Sequence, residues 1–369
     1  MKNQKLFFIS FLIVWVILIL ANFFGPKIAF SEQENRYLAK RPSFQLESLL
    51  NGEYAENLDT YINDHFIFRK QWLKIKSSME LLLGKKENNH VYIGKEGYLF
   101  EKFIYTKENE ENLKKAVAIM EQLAQETNLP TYFMFVPNSI FVNSDKLPEQ
   151  VQIANQEKII DNVYQSCREV IPVDVTQILK AHKEENLYFK TDHHMTSTGA
   201  YYTYAAFCIT KNQTPKSLFS FKPTLVSNDF LGTFDSKAQI ANQEKDEIWI
   251  YQNPTIVEGY YDEEKWNSIY NEAYLSKKDQ YSYFLNGNHA KVVLKTKVKN
   301  GQKLLIIKDS YAHNLAQFLC DDYEEIHFID PRYYKDSISS YVKENQITQI
   351  LFLYNVANLV KDIGIRNVR

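Results

Sequence analysis

Residues 303–319 read KLLIIKDSYAHNLAQFL, and this stretch decides both the fold and the candidate site. The segment Lys303–Lys308 is mostly apolar and predicts a buried strand. The residues from Tyr311 to about Leu319 predict an amphipathic helix directly after it. Ser310 would then lie at a strand-to-helix turn, where its hydroxyl is exposed, backbone N–H groups face a developing oxyanion and the helix dipole favours negative charge.

Asp309 and Ser310 also have a simpler interpretation. Aspartate and serine commonly accept hydrogen bonds from the first backbone N–H groups of a helix, so either residue could be only a helix cap. The Asp-Ser pair alone is therefore weak evidence for an active site. A general base elsewhere in the chain would have to meet the serine.

The segments on either side of this stretch alternate between strand-like and helix-like patterns. Such alternation is typical of an α/β domain with a parallel sheet flanked by helices. Residues from about 215 to 300 are rich in tyrosine, asparagine and β-forming residues, and predict an antiparallel β-rich insertion. The predicted elements are a helical stretch over 54–83, a hairpin at 91–100, helices near 108–127, 155–167, 197–208, 311–319 and 336–344, and strands at 131–136, 169–173, 303–308, 325–329 and 349–354.

The amino-terminal segment from Leu6 to Phe24 carries no charged residue and has the length of a helix that crosses a bilayer. Lysines before it favour a cytoplasmic amino terminus by the positive-inside tendency. We therefore predict a cytoplasmic end at 1–5, a transmembrane anchor at 6–24, a stalk at 25–53 and an extracytoplasmic domain at 54–369. A cleaved, secreted form is the alternative, although the apolar run is long and lacks a small-x-small cleavage site.

The overall charge excludes some classes of partner. The 369 residues include 43 basic and 45 acidic side chains, so no excess of positive charge predicts binding to nucleic acid. The chain also contains 25 tyrosines and 24 phenylalanines. Aromatic rings can stack on carbohydrate, but they more often pack in cores and on sheets.

Residues 186–204 read NLYFKTDHHMTSTGAYYTY and supply the missing base. In extended backbone, residues two apart face the same way, so Asp192 and His194 would share a face while His193 points elsewhere. An aspartate beside an imidazole fixes the tautomer of that ring and stabilises the imidazolium that forms when the ring takes the serine proton. With Ser310, this pair would complete a Ser-His-Asp set.

Two alternatives remain open for the Asp-His-His cluster. Aspartate and histidine are ligands for zinc or iron, and His313 could complete such a site. Adjacent histidines on an extended segment would point to opposite sides, which disfavours a shared ion. The cluster could also be wholly structural, because polar groups tie loops together. No metal and no cofactor is predicted.

The ordered motifs of the chain resemble the DHHW family of bacterial extracytoplasmic proteins, which is similar in turn to the SGNH-like alginate O-acetylation proteins. The resemblance runs from about Asn35 to the carboxyl end. The motifs that carry it are ENRYLAKRP at 34–42, DHFIFR at 64–69, VYIGKEGYLF at 91–100, TDHHMTSTGA at 191–200, FLGTFDSK at 230–237 and IKDSYAHN at 307–314.

The resemblance implies an SGNH-like, flavodoxin-like fold and a set of site residues. Asp192 and His194 match the Asp-x-His element, and Ser310 matches a nucleophile that follows this pair in the chain, an order typical of the alginate branch. Arg332 matches a position that approaches the active site and would bind substrate. His193 and Tyr354 are further candidates for binding substrate. One departure is Met195, where the family commonly has tryptophan, so ring stacking beside the site is in doubt.

The activity implied by the resemblance is transfer of an acetyl group to a hydroxyl of a secreted or cell-wall polysaccharide. A membrane-bound O-acyltransferase would act as partner and acetyl donor. Two alternatives stay open: an acetyl-esterase with the same triad, and a non-catalytic scaffold that holds the glycan for a partner.

Overall fold

A computed structural model describes residues 2–25, 27–31, 36–252, 256–361 and 364–368. The chain divides into two compact units, Met1–Asn88 with Ser236–Gln243, and Asn89–Asp235 with Glu244–Arg369. The predicted boundaries at 24 and 53 stay predictions. Pro26 and residues 32–35 of the predicted stalk, with the start of the family resemblance at Asn35, lie outside the described residues.

The first unit is mainly helical. Its amino-terminal helix, Lys2–Phe24, is long and apolar enough to cross a membrane from Gln4 to Phe24, by length and composition. The predicted helical stretch over 54–83 is two helices, because Phe68 adopts a left-handed backbone with φ of 57° between them. The other elements are helices Leu46–Leu50, Glu53–Asp64 and Arg69–Leu82, and short strands Phe30–Ser31, Arg36–Tyr37 and Glu87–Asn88.

The second unit is built around an eight-stranded sheet. Apolar residues at nearly every position of its central strands leave no polar face, which is typical of strands covered on both sides. We number its strands in chain order: β1 Thr131–Val136, β2 Ile171–Val173, β3 Ile256–Tyr261, β4 Glu264–Lys265, β5 Lys291–Thr296, β6 Lys303–Lys308, β7 Glu325–Ile329 and β8 Gln349–Asn355.

The spatial order of the sheet is β4-β3-β5-β7-β6-β8-β1-β2. The five strands from β7 to β2 are parallel, and β5, β3 and β4 continue the sheet in antiparallel fashion. The predicted α/β class with a parallel sheet is confirmed. The last strand, β8, lies between β1 and β6, so the loops after these three strands meet at one edge.

The predicted β-rich insertion at about 215–300 is antiparallel, but it divides between two sheets. Strands β3, β4 and β5 extend the central sheet, whereas Lys222–Phe230 and Asp246–Gln252 form a separate antiparallel ribbon. The hairpin predicted at 91–100 is confirmed by the antiparallel pair Val91–Ile93 and Leu99–Glu101.

Helices cover both faces of the sheet and create two apolar cores. One core contains Met134, Ile306 and Leu353 of the sheet together with Phe207, and the other contains Phe133, Ile307 and Phe352. Thr106 begins the longest covering helix with a reciprocal capping box. The helices described in this unit are Lys107–Thr127, Ser139–Val142, Gln156–Ser166, Thr176–Ala181, Ser197–Thr210, Ala316–Leu319, Ile338–Glu344 and Val356–Leu359, and helix Thr233–Ala238 begins in this unit and ends in the first. The 3₁₀ turns described in the chain are Ser144–Lys146, Lys183–Glu185, Leu218–Ser220, Glu272–Tyr274, Gln280–Tyr283, Ser310–Ala312 and Gly364–Asn367.

The predicted amphipathic helix after β6 is wrong in length and in exposure. The segment is a 3₁₀ turn at Ser310–Ala312 and a one-turn helix at Ala316–Leu319, and it is buried from Tyr311 onward. Its polar side chains find partners inside the protein: the Gln317 amide, for example, donates to the Ser197 hydroxyl. Because a helix dipole needs a run of aligned peptide units, the dipole argument for Ser310 no longer applies.

Candidate active site

Ser310 lies directly beyond the carboxyl end of β6, where neighbouring strands also end. The Asp309 carboxylate, which is buried, accepts hydrogen bonds from the Tyr311 N–H at 2.9 Å and from the Asn355 N–H at 3.0 Å. It caps the 3₁₀ turn, as the simpler interpretation of this residue expected. Ser310 itself is half-buried, in contrast to the fully buried residues on either side of it.

Asp192 and His194 lie in a tight bend at 191–194 rather than in extended backbone. Tyr188 and Met195 pair across the ends of this bend, and the His194 N–H donates to the Asp192 carboxylate at 3.0 Å. The predicted extended conformation is wrong, although the two side chains do meet. The bend is held from a distance by Asp246, which accepts hydrogen bonds from the Lys190 N–H and the Thr191 N–H, both at 2.8 Å.

The structure brings Asp192, His194 and Ser310 into one hydrogen-bonded chain. Nδ1 of His194 lies 2.5 Å from Oδ1 of Asp192, and Nε2 lies 2.7 Å from Oγ of Ser310. With its proton on Nδ1, the neutral imidazole donates to the carboxylate and accepts from the serine hydroxyl. This is the geometry in which a histidine removes a serine proton while a carboxylate holds the ring.

The charges of the pair follow from burial and from their neighbours. Burial alone would raise the pKa of Asp192, but the nearby His193 and His194 and the hydrogen bond from Thr233 outweigh it and lower that pKa. Burial, aided by His193 and opposed by Asp192, lowers the pKa of His194 to about 4. His194 is therefore neutral at pH 7 and available as a base.

This lowered pKa makes a prediction for the pH profile. Only neutral His194 accepts the serine proton, so kcat/KM for an acetyl ester should stay high below pH 6.5, the ordinary histidine value, and reach half its maximum near pH 4. Initial rates between pH 3.5 and 8, with samples returned to neutral pH to exclude denaturation, measure this profile. A half-maximum at pH 6.5 or above would contradict the assigned environment.

Contacts from the Ser310 segment hold the histidine loop in place. The Tyr311 hydroxyl donates to the carbonyl oxygen of His193, and the Asn314 amide donates to the carbonyl oxygen of Met195 at 2.7 Å. These contacts join segments that are 118 and 119 residues apart in the chain. They reduce the freedom of His194 relative to Ser310, which preorganises the pair.

Tyr281 is a site residue that the sequence did not reveal. Its ring stacks on the His194 imidazole, with centroids 3.5 Å apart and planes inclined by 8°, and its hydroxyl donates to the carbonyl oxygen of Ser310 at 3.0 Å. Met195, by contrast, is completely buried in the core and forms no wall of the site. Stacking beside the histidine therefore exists, but it comes from Tyr281, 87 residues beyond His194 in the chain.

Gly232 lies against the back of Asp192, at a distance that leaves no room for a side chain. An added Cβ would lie 2.3 Å from Cβ and 2.4 Å from Oδ2 of Asp192. The Gly232 N–H also donates to the Thr191 hydroxyl at 3.0 Å. This contact explains the glycine of the FLGTFDSK motif.

Gly232→Ala is expected to lower kcat/KM about 10- to 100-fold, because a displacement of about 1 Å in a catalytic group has effects of this size. Steady-state kinetics with an acetyl ester measure the change. The matched control is Gly259→Ala, whose Cβ would lie 2.2 Å from the Trp266 carbonyl oxygen, remote from the triad. If both variants lose activity equally, Gly232 has no specific effect on Asp192.

Arg332 follows β7 and its side chain is one-third exposed. The guanidinium donates to both carboxylate oxygens of Asp330, at 2.9 and 2.6 Å. Asp330 in turn lies 3.6 Å from Nζ of Lys308, a side chain whose pKa burial lowers to about 8. Arg332 is near enough to help lower the pKa of His194, so its predicted role beside substrate stays a proposal.

The two other predicted binding residues differ in exposure. The His193 side chain is 29% exposed and its Nδ1 lies 3.5 Å from Asp192, so it borders the site. Tyr354 is completely buried in the core between the sheet and its covering helices. We correct the prediction for Tyr354, because alternation along β8 directs this side chain into that core and away from any substrate.

The metal alternative changes in its details. The prediction that His193 and His194 point apart is wrong: the bend brings their ring centroids to 3.8 Å, and ligand atoms of Asp192, His193 and His194 lie within 4.8 Å of one another. Both ring nitrogens of His194 are engaged by Asp192 and Ser310, however, and Nε2 of His313 lies 2.8 Å from the Lys308 ammonium. A cation at either place would have to break these contacts.

Comparisons with known proteins agree with this architecture. The family model described as DHHW protein matches residues 90–329, which is more than half of the chain. The structure of a DHHW family protein from Eubacterium siraeum is 25% identical, with a TM-score of 0.69, and the match covers 76% of this chain and 96% of that one. Bacillus cereus PatB1, solved with a sulfonyl adduct, is 20% identical, with a TM-score of 0.63 and coverage of 76% and 98%. No curated protein sequence matches significantly.

Proposed function

The chain belongs to the DHHW family, and from that premise we propose that it is an O-acetyltransferase that moves an acetyl group, through an acyl-serine on Ser310, to a hydroxyl of a secreted or cell-wall polysaccharide. The observation that carries the proposal is the continuous chain from Asp192 through His194 to Ser310, with contacts of 2.5 and 2.7 Å. The amino-terminal anchor would hold the enzyme at the outer face of the cell membrane, beside a membrane-bound O-acyltransferase that acts as acetyl donor.

In the first half-reaction, His194 takes the Ser310 proton on Nε2 while Oγ attacks the acetyl carbonyl. The bond from the carbonyl carbon to the leaving group then breaks, and His194 returns the proton to that group. Asp192 stabilises the His194 imidazolium while the ring carries this proton. Tyr281 stacks on the ring and fixes its plane against the serine.

The oxyanion of the tetrahedral intermediate needs a donor beside Ser310. Among the described residues, the backbone N–H of Ser310 meets no acceptor, whereas the Tyr311 N–H is used by Asp309. We assign the Ser310 N–H to the oxyanion. Loss of such a donor typically costs about 10²- to 10³-fold in rate.

In the second half-reaction, a sugar hydroxyl replaces the leaving group. His194 removes its proton, the sugar oxygen attacks the acyl carbon, and the Ser310 oxygen departs with the proton from His194. Water in place of the sugar would give acetate and make the protein an esterase. Arg332 and His193 are partly exposed, and their polar side chains could bind a sugar at the mouth of the site.

The discriminating experiment supplies the purified full-length chain with an activated acetyl ester, with and without a cell-wall oligosaccharide. Acetylated sugar detected by mass spectrometry, formed by the parent chain and not by Ser310→Ala, supports transfer. Acetate release that is indifferent to added sugar identifies an esterase. Turnover that a chelator abolishes, or that Ser310→Ala leaves unchanged, would contradict the serine mechanism and favour a metal site or a scaffold.

A further inference from the structure

Helix Arg69–Leu82 of the first unit carries an apolar stripe that faces solvent. Five large side chains form it, and none is less than 49% exposed. At the helical spacing of 100° per residue, they project within an arc of about 100°, the width of an apolar face that is normally buried. The stripe consists of Trp72, Ile75, Met79, Leu82 and Leu83, and Phe68, which is 59% exposed, lies directly before the helix.

The opposite side of the same helix already has its packing partners. Ser77 is buried, and Leu73 and Leu81 are half-buried. The side-chain amide of Asn88 donates a hydrogen bond of 2.7 Å to the Ser77 hydroxyl. The helix therefore packs through its less apolar side and presents its more apolar side outward, the reverse of a helix on a soluble protein.

Basic residues lie beside the stripe and at the end of its helix. Residues 69–86 include six basic side chains and one acidic side chain, Glu80. The Lys76 side chain, 67% exposed, lies at the edge of the stripe, where a long alkyl chain can lie along apolar surface while its ammonium reaches outward. At helical spacing Arg69 and Lys76 lie beside the stripe, Lys70 and Lys74 lie on the opposite side, and Lys85 and Lys86 follow the helix.

A hydrogen bond fixes the start of this helix to the end of the membrane-spanning candidate. The Ile67 N–H donates to the Asn22 side-chain oxygen at 3.1 Å. Asn22 lies two residues before the end of the helix Lys2–Phe24. If that helix crosses the bilayer, its last turn lies at the membrane–water interface, and so does residue 67.

We infer that helix Arg69–Leu82 lies on the outer surface of the bilayer, with the apolar stripe among the acyl chains and with Arg69 and Lys76 at the phosphates of anionic lipids. Tryptophan and leucine on one face, with basic residues beside it, are the composition of interfacial helices. Each basic residue near an anionic surface adds attraction that salt weakens. The inference extends the proposed function without depending on Ser310, since it concerns how the chain is held.

The test uses the full-length chain with Cys167→Ser, reconstituted in phosphatidylcholine vesicles with about one third phosphatidylglycerol. A nitrobenzoxadiazole label is attached at Met79→Cys in the stripe, or at Lys76→Cys at its edge as the matched position. Both side chains are exposed, so neither variant disturbs the packing. Acyl-chain nitroxides report burial in lipid, and iodide reports contact with water.

We expect nitroxide lipids to quench the Met79→Cys label by roughly half or more while iodide hardly affects it, and the Lys76→Cys label to show the reverse. Omitting phosphatidylglycerol should reduce the lipid quenching. Equal iodide access at both positions would overturn the inference. A second result would also overturn it: the Met79→Cys label is protected from iodide more strongly as protein density rises, but nitroxide lipids do not quench it. In that case a second copy of the chain covers the stripe.

Discussion

Ser310→Ala is expected to lower the turnover of an activated acetyl ester by about 10⁴-fold or more, with little change in KM. The hydroxyl lies 2.7 Å from Nε2 of His194 and can form an acyl bond, and alanine removes it without filling space. Because the side chain is half-buried and small, the fold should be retained. Steady-state kinetics and thermal unfolding of both proteins measure the two effects.

The matched control for this variant is Ser276→Ala. The Ser276 hydroxyl is exposed and donates only to the carbonyl oxygen of Ala273 at 3.2 Å. Its removal should leave turnover unchanged. The serine mechanism would be contradicted if Ser310→Ala has the same unfolding temperature as the parent protein and keeps more than about one tenth of its turnover rate.

Asp192→Asn is expected to lower kcat by about 10³- to 10⁴-fold. Oδ1 of Asp192 accepts from Nδ1 of His194, and Oδ2 accepts from the Thr233 N–H at 2.7 Å. An amide keeps one acceptor and turns the other atom into a donor. If the amide oxygen of the variant side chain stays with the Thr233 N–H, the amide NH₂ donates to Nδ1 of His194. The ring proton of His194 then lies on Nε2, and this nitrogen can no longer accept the serine proton.

The loss should be in kcat rather than in KM, because the aspartate does not contact substrate. Asp229→Asn is the control, since the Asp229 carboxylate is exposed and accepts from Gln280 and Ser227 instead of a histidine. Measuring kcat and KM for both variants separates the effects. An Asp192→Asn protein with unchanged kcat would show that His194 needs no oriented carboxylate, and the triad would be reduced to a pair.

Most of the sheet could be predicted from local pattern. The strands at 131–136, 303–308 and 349–355 are buried along nearly their whole length, so their apolar runs have one interpretation. The buried segment after Ser310 could not be predicted, because its polar residues look solvent-facing in the sequence. His313 and Asn314 find their partners in Lys308 and in the carbonyl of Met195, and only the tertiary structure reveals these contacts.

The candidate triad could be predicted from residue type and order, but the reason for its geometry could not. Asp192 and His194 meet through a bend that Asp246 holds from more than 50 residues away. Tyr281 and Gly232 both reach the site from the insertion, and neither has a local signature of function. The glycine of FLGTFDSK could have been suspected from its place in a family motif.

The serine mechanism is tested most directly by trapping the acyl group and locating it in the chain. The full-length chain is mixed with an activated acetyl ester, quenched in acid within its first turnovers, digested and mapped by mass spectrometry, with His194→Ala treated in parallel. We expect one added acetyl group on Ser310 of the parent chain and a strongly reduced amount on His194→Ala. An acetyl group on another residue, or turnover by the parent chain with Ser310 unmodified under all quench times, would contradict it.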